Sequence, residues 1–249
     1  MKLVLAQLRM EVITLVRNYE QLLLVVVIPV GVLLLFGNVD VLPESVDLAR
    51  VVSSVVALSV MSTAMVSLGI ATGFERSYNV LKRIGVTPLG RHRLVWAKAG
   101  SVGVVELAQA TLLLALAATL GWSATDTSWW RTVLAMLLGT AAFAGIGLVL
   151  AGRLRAEVNL AAQNGLYLLL LAVGGVMVPT NELPNALAAV AQLLPSGALT
   201  NVLEATINGR AVAGDWWFGL SASTGAWVVL GAWAVAAPLA AGRLFRFDG

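Results

Sequence analysis

The sequence predicts an all-α, polytopic membrane protein with six transmembrane helices, and three observations support that fold class. Hydrophobic residues occupy 59% of the 249 positions and charged residues 12%, whereas soluble domains carry about 25% charged residues. Six nearly uncharged stretches each reach the roughly 20 residues that cross a hydrocarbon core about 30 Å thick. Lysine and arginine are concentrated in alternate connecting segments. We therefore expect a single transmembrane domain over residues 1–249.

The predicted spans are separated by more polar segments and run over residues 21–39, 51–73, 99–121, 132–152, 158–178 and 218–242. The 24 glycines and 7 prolines fit this assignment, because neighbouring helices in a membrane bundle re-satisfy the backbone groups that such residues free. Cysteine is absent from the sequence, which excludes a disulfide framework and a thiolate metal site.

Ahead of the first span, residues 1–20 predict an amphipathic helix that lies in the inner membrane interface. Its apolar side chains recur at spacings of three and four and so share one face, with basic residues beside it: Leu5, Leu8, Val12, Leu15 and Tyr19. The stretch has no small-residue cleavage signature after a short apolar region. We therefore expect the first span to be retained.

The distribution of positive charge predicts the orientation of the chain. Thirteen of the 16 lysines and arginines fall before span one, between spans two and three, between spans four and five, or after span six. The other segments hold only Arg50, Arg131 and Arg210. By the positive-inside rule, both termini are expected in the cytoplasm, in a multi-pass protein of the cell membrane. Five tryptophans at the predicted outer ends agree, since indole rings favour the headgroup layer: Trp122, Trp129, Trp130, Trp216 and Trp217.

One further uncharged segment, residues 183–203, is also long enough to cross a membrane and would place the tail outside if it did so. Pro184, Pro195 and several polar residues make it a poor lipid-facing helix. We expect instead one or two short helices that fold back at the outer surface or dip partly into the membrane, within an external region covering residues 179–215.

The loop of residues 74–98 between spans two and three carries the most specific motif. An acidic-basic pair, Glu75-Arg76, precedes the string NVLKRIGVTPLGR at residues 79–91. This string resembles the one in permease subunits of type-2 ATP-binding-cassette exporters, commonly Gly-Thr-Leu-Lys-Arg-Leu, two variable residues, then Thr-Pro-Leu-Ser-Arg. The positions that match the motif or its acidic-basic prefix are Glu75, Arg76, Leu81, Lys82, Arg83, Ile84, Thr87, Pro88 and Arg91.

The resemblance implies that residues 74–98 form a coupling loop that docks on an ATPase. We expect a short helix over residues 75–84, and Pro88 ends it because the residue before a proline is driven from the helical region. Asn79 stands where the family commonly has glycine, and asparagine tolerates the same left-handed backbone. The alternative is an ordinary basic loop that only satisfies the orientation rule.

A second match follows span five. Residues 174–184 read GGVMVPTNELP, and residues 191–195 read AQLLP. The exporter family commonly has a glycine, a proline, a Leu-Pro and a closing Leu-Pro at such spacing, before external helices. The external motif residues are Pro179, Glu182, Leu183, Pro184 and Pro195. The chain looks most like the drug and antibiotic-resistance branch of that family.

The resemblance implies a transport subunit that needs partners. No Gly-x-x-x-x-Gly-Lys-Ser/Thr phosphate loop occurs, so ATP and Mg²⁺ are expected on a separate ATPase subunit. Family precedent adds a second permease, identical or related, in the same lipid bilayer. No His-Glu-x-x-His motif or Ser/His/Asp arrangement supports an enzyme, and no soluble basic surface indicates a nucleic-acid partner. A secondary transporter and a non-transporting scaffold or sensor are the alternatives.

Polar residues inside the predicted spans allow two interpretations. Glu106, with Gln109 on the same helical face, is either part of a substrate path or a carboxyl, protonated or not, that is held by neighbours such as Gln163 or Asn164. Asn159, Gln163 and Asn164 enter span five together, where such residues either contact substrate or join helices.

The topology prediction can be tested with reporter fusions. Reporters fused after Arg83 and after Arg246 are expected to report the cytoplasm, because both follow basic segments. A reporter near Asn185 is expected to report the exterior. A cytoplasmic signal at Asn185 would contradict the six-span arrangement.

Overall fold

The computed structural model describes residues 6, 9–10, 12–13, 17, 19–38, 47–80, 90–177, 182–210 and 221–245. These residues form an all-α bundle of eight helices, which confirms the predicted fold class. In chain order they are α1 Tyr19–Asn38, α2 Leu48–Ser77, α3 Gly90–Thr119, α4 Trp129–Arg153, α5 Ala156–Val173, α6 Asn185–Leu193, α7 Pro195–Ile207 and α8 Ala222–Leu244. The six described positions before residue 19 all have a helical backbone.

Five of the described helices are long and apolar enough to cross a bilayer. They are α2, α4, α5, α8 and the part of α3 from Lys98 onward. The pair α6 and α7 meets the same criteria only when taken together, and it is bent by 83°. The predicted first span corresponds to the 20 residues of α1, which include the apolar stretch Val25–Asn38.

Helix α2 is the centre of the bundle. In its most apolar 18-residue window, 89% of the residues are buried inside the protein, whereas a lipid-facing helix keeps one side exposed. The helix runs four residues past the predicted end of span two and contains a π-helical segment, Met61–Ser67. Such segments are rare and widen the helix locally. Because other helices surround α2, its position fixes theirs.

Helix α4 packs against α8 on one side and α2 on the other through glycines. A Cβ atom on Gly145 would lie 2.5 Å from the backbone carbon of Ala237 in α8. A Cβ atom on Gly147 would lie 2.6 Å from the carbonyl oxygen of Met65 in α2. Small residues at these positions therefore allow the backbones to approach closely, which is how helices associate when lipid removes the hydrophobic driving force.

The segment after span five folds as two short helices, and the second enters the bundle. All but one of the 13 residues of α7 are buried, and α7 packs against α2, α4 and α8. Pro195 begins α7 at its first position, where proline needs no backbone N–H. Helix α7 is therefore buried among the other helices, whereas α6 keeps exposed residues such as Leu187 and Val190.

The bundle has two chemically different ends. We call one the basic end, defined by Arg76, Lys98, Arg153 and Arg243, and the other the tryptophan end, defined by Trp122, Trp129 and Trp130. At the tryptophan end, residues 122–128 cover the end of α7. The Ser128 amide donates to the carbonyl of Thr206 at 2.7 Å, and the Thr127 hydroxyl donates to the carbonyl of Ile207 at 2.7 Å. These contacts satisfy carbonyls that have no partner within the helix.

The close approach of α4 and α8 predicts the effect of adding one methyl group. Gly145→Ala should destabilise the protein by about 1–3 kcal/mol, because the new Cβ atom meets backbone rather than a side chain that can move. Thermal unfolding in detergent measures the effect. Gly231→Ala in α8 is the matched control, since a Cβ atom there has no neighbour within 4 Å. Equal thermal stability of the two variants would contradict the packing described.

Candidate functional site

At the basic end, the last turn of α2 is fastened to the turn between α4 and α5. The Arg76 guanidinium donates to the carbonyl oxygens of Gly152 and Leu154, the latter at 2.8 Å. In the same turn, Arg153 donates through Nε to the carbonyl of Leu244, the last residue of α8, at 2.9 Å. Arginine suits this role because its planar fork presents several donors in fixed directions. The ends of α2, α4 and α8 therefore form one hydrogen-bonded platform.

The same platform joins the two helices that flank the predicted coupling loop. Lys98 in α3 forms an ion pair with Glu75 in α2, with 2.7 Å between Nζ and Oε1. The Lys98 side chain is 9% exposed and the Glu75 side chain 26%, so solvent screens the pair less than it screens a surface ion pair. The ion pair therefore holds the end of α2 close to Lys98 in α3, so the two helices that flank the segment are joined directly.

The segment between these helices is shorter than the predicted loop. Helix α2 continues to Ser77 and α3 already begins at Gly90, so most of the expected loop of residues 74–98 is helical. The predicted short helix over residues 75–84 is interrupted at Tyr78 and Asn79, where Asn79 has a φ of 57°, and Val80 is again helical. Residues 81–84 of that prediction lie outside the described residues. Asparagine adopts this left-handed conformation more readily than most residues.

Most of the motif lies outside the described residues. Leu81, Lys82, Arg83, Ile84, Thr87 and Pro88 fall in residues 81–89, which the structure does not describe. Arg91 lies in the first turn of α3, where the backbone alone is described. Glu75 and Arg76 are the motif residues whose side-chain contacts are defined, and both hold the segment in place from its α2 side.

Inside the bundle, Glu106 of α3 contacts α4. Its Oε2 atom is in hydrogen-bond contact with the Thr140 hydroxyl, and the residue is 2% exposed. The predicted partners, Gln163 and Asn164, are wrong, because Gln163 bonds Gly147 and Asn159, and Asn164 bonds Leu160 in its own helix. Thr140 could not be predicted as this partner, since a lone threonine in an apolar span has no periodic or motif context.

Gln109, one turn after Glu106, joins three helices. The Thr63 hydroxyl in the π-helical segment of α2 donates to Gln109 Oε1 at 3.2 Å. Gln109 Nε2 in turn donates to the backbone carbonyl of Val25 in α1. Each polar atom of the amide therefore has a partner on a neighbouring helix, as a buried amide requires.

The polar residues of α5 separate into two groups. Asn159 donates to the carbonyl of Gly69 in α2, and Gln163 donates to the carbonyl of Gly147 in α4, both at 2.9 Å. Gln163 also donates to Asn159 Oδ1 at 3.1 Å. Asn164 lies on the exposed face and bonds the carbonyl of Leu160 in its own helix. The buried pair joins α5 to α2 and α4, and Asn164 takes no part in that contact.

At the tryptophan end, the first turn of α2 holds a buried arginine that the sequence suggested only as a connecting residue. Arg50 is 5% exposed and donates to the carbonyl of Gly175 at 2.7 Å. Ser54, one turn on, donates to the carbonyl of Val176 at 2.6 Å. The residue before α2, Asp47, caps the helix by accepting from the Arg50 amide. An N-cap aspartate ahead of an apolar run is a readable helix start, so Arg50 could have been assigned to the helix.

The external motif has a partly defined structure. Pro179 lies outside the described residues, Glu182 is exposed, and Leu183 is partly exposed. Pro184 is the N-cap of α6, and Pro195 begins α7 in the buried interior. The motif prolines therefore mark the starts of the two short helices, in keeping with the preference of proline for helix starts.

A cleft of about 280 Å³ opens at the tryptophan end beside this region. Asp47, Asp126, Trp122, Asn208 and Arg210 are among the residues that line it. Asp47 forms an ion pair with Arg210, and this contact raises the pKa of the Arg210 guanidinium. Trp122 donates to Asn208 Oδ1 at 2.9 Å. The cleft walls are thus held by contacts of their own and present mixed charge.

The direct interaction between Glu75 and Lys98 can be tested with charge-reversal variants. Glu75→Lys or Lys98→Glu alone should lower the free energy of unfolding by about 1 kcal/mol or more, because each places like charges together in a partly buried site. The double variant, which restores opposite charges, should recover part of that loss. Thermal unfolding of the four proteins gives the coupling energy. Additive losses in the double variant would contradict a direct interaction.

Comparison with known proteins identifies the family of this chain. Residues 38–237 match the model of a family described as "ABC-2 family transporter protein". The chain is also 27% identical, over 184 residues, to "Putative transport permease YvfS" of Bacillus subtilis (strain 168), and the match covers 72% of this chain and 75% of that protein. Because the family model covers most of the sequence, this chain belongs to the ABC-2 transporter family.

Proposed function

We propose that this chain is the membrane-spanning subunit of an ATP-driven exporter. In this proposal it moves a hydrophobic or amphipathic substrate, of the drug, antibiotic or lipid-like class, out of the cell. A separate ATPase subunit binds ATP and Mg²⁺ and docks on the segment between α2 and α3. Two permease subunits, identical or related, work together on two ATPases.

The observation that carries the proposal is the way the flanks of the 78–89 segment are held. Glu75 and Lys98 join its two flanking helices at 2.7 Å, and Arg76 fastens the α2 side to the ends of α4 and α5. Because both flanks of the segment are bonded to the bundle, a displacement of the segment moves the bundle as well. The motif that the segment contains, and membership of the family, support an ATPase as the source of the displacement.

The exposed faces of the bundle support an apolar environment and substrate. Leu168 and Leu169 in α5 and Val228 and Val235 in α8 are each more than half exposed. Apolar side chains exposed on spans of this length are suited to contact lipid or a second permease. A passage formed between two such bundles would present the same apolar surfaces to a cargo.

The docking assignment is tested by copurifying the chain with the phosphate-loop ATPase that the proposal requires. Leu81→Asp and Arg83→Glu should each weaken association about 30-fold, because apolar and arginine anchors at interfaces typically contribute about 2 kcal/mol. In proteoliposomes, the same variants should leave ATP hydrolysis uncoupled from transport.

The matched control is Arg131→Glu, which makes the same charge change at the opposite end of the bundle. Arg131 stacks over the Trp130 ring with its Cζ atom 5.2 Å from the ring centroid, and no ATPase is expected to reach that end. The docking assignment is wrong if Leu81→Asp and Arg83→Glu bind and hydrolyse as the unaltered protein does, or if Arg131→Glu is impaired equally.

A further inference from the structure

Glu106 is a buried acid whose hydrogen bonds do not fit an ionised carboxylate. It lies eight residues after Lys98, or about 12 Å along the axis of α3, and well inside the apolar part of that helix. Only 2% of the residue is exposed. An ionised carboxylate in such a place needs several donors or a cation to compensate for lost hydration.

The first observation is that two oxygen atoms contact the Thr140 hydroxyl, which has only one proton. The Thr140 hydroxyl lies 2.8 Å from the carbonyl oxygen of Met136, one turn earlier in α4, and it also contacts Glu106 Oε2. A hydroxyl has one proton to donate and lone pairs to accept with. One hydroxyl proton cannot fully serve both oxygens, and the Met136 carbonyl cannot supply a second proton. A proton on Glu106 Oε2, donated to the Thr140 oxygen, makes both contacts complete hydrogen bonds.

The second observation concerns the other carboxyl oxygen. Glu106 Oε1 is buried and has no hydrogen-bond partner among the residues that the structure describes. In a carboxylate this atom would carry half of the negative charge, and leaving it without a donor would cost the full desolvation of an ionic acceptor. In a neutral acid the same atom is a carbonyl oxygen, and the cost of leaving it unbonded is much smaller.

The third observation is the position of the charged groups around α3, which packs against α1, α2 and α4. The described charged side chains on these helices lie at the two ends of the bundle: Arg50 and Arg131 at the tryptophan end, and Glu75, Arg76, Lys98 and Arg153 at the basic end. Lys98 is bound to Glu75, and Arg50 and Arg76 donate to backbone carbonyls. Within the described part of the chain, no cation forms an ion pair with Glu106.

We infer that Glu106 is a proton-binding site within the membrane, occupied at neutral pH by a proton that the acid donates to Thr140. The third span therefore carries a neutral carboxylic acid and a free carbonyl oxygen rather than a negative charge. In this state, the neutral side chain of Glu106 does not attract a cation through charge. It offers hydrogen bonds instead, as donor to Thr140 and as acceptor through Oε1.

Infrared difference spectroscopy of the purified protein in lipid at neutral pH tests the inference. The spectrum of the unaltered protein minus that of Glu106→Gln should contain the C=O stretch of one protonated carboxyl, and this band should move when D₂O replaces water. Glu157→Gln is the control, since Glu157 is exposed in the first turn of α5. Its difference spectrum should contain a carboxylate band instead. A carboxylate band for Glu106, in place of the protonated one, would overturn the inference.

A second variant keeps the acid and removes its acceptor. Thr140→Val preserves the shape of the side chain and deletes the hydroxyl, so the C=O band of the neutral acid should move to higher frequency as the hydrogen bond is lost. This measurement requires neither transport activity nor the ATPase. It can still be made if the Glu106→Gln variant does not fold. An unchanged protonated-carboxyl region in Thr140→Val would also overturn the inference.

Discussion

The structure depends on one constraint, which is that a polar side chain buried among membrane helices must find a partner within the protein. Here the partners are mostly backbone carbonyls of a neighbouring helix. Asn159 bonds the carbonyl of Gly69, Gln163 that of Gly147 and Gln109 that of Val25. Each contact fixes the rotation and depth of two helices at once, because a carbonyl belongs to the backbone. The bundle is thus positioned by a few directional contacts, and apolar packing fills the space between them.

Several contacts of this kind involve α2, which connects the two ends of the bundle. At 30 residues and 1.5 Å per residue, an ideal helix of this length spans about 45 Å. Arg50 and Ser54 hold one end through the carbonyls of Gly175 and Val176, and Arg76 holds the other through the turn after α4. A force applied where the chain leaves α2 therefore reaches the 174–177 turn, which leads to α6 and α7. The π-helical segment lies between the two ends.

The sequence predicted the spans well because length and lack of charge are local properties. The ends of spans one and four differ from the observed helices by three residues or fewer. The interruption at Asn79 was not predicted, although asparagine tolerates the left-handed backbone found there. The sequence did not predict how far α2 and α3 continue into the expected loop. Basic residues mark the boundary of the membrane and do not end a helix.

Contacts between helices were much less accessible from sequence. Thr140 as the partner of Glu106, the burial of Arg50, and the insertion of α7 all depend on which helix lies beside which. A pattern of residue types along one chain does not contain that information. Asn159, Gln163 and Asn164 show the difference: their types and spacing are similar, yet two are buried and one faces outward. The motif at residues 79–91 could be recognised from the order of its residues, because that order resembles one in a known family.

We propose, above all, that the basic end of the bundle is the surface on which an ATPase acts. Because the chain contains no cysteine, a single introduced thiol can be cross-linked to a partner without background. Leu81→Cys, between α2 and α3, and Ser123→Cys, exposed at the tryptophan end, give a matched pair. With a short bifunctional reagent in native membranes, we expect Leu81→Cys to form a covalent adduct with the ATPase and Ser123→Cys to form none. An adduct at residue 123, with none at residue 81, would contradict the account.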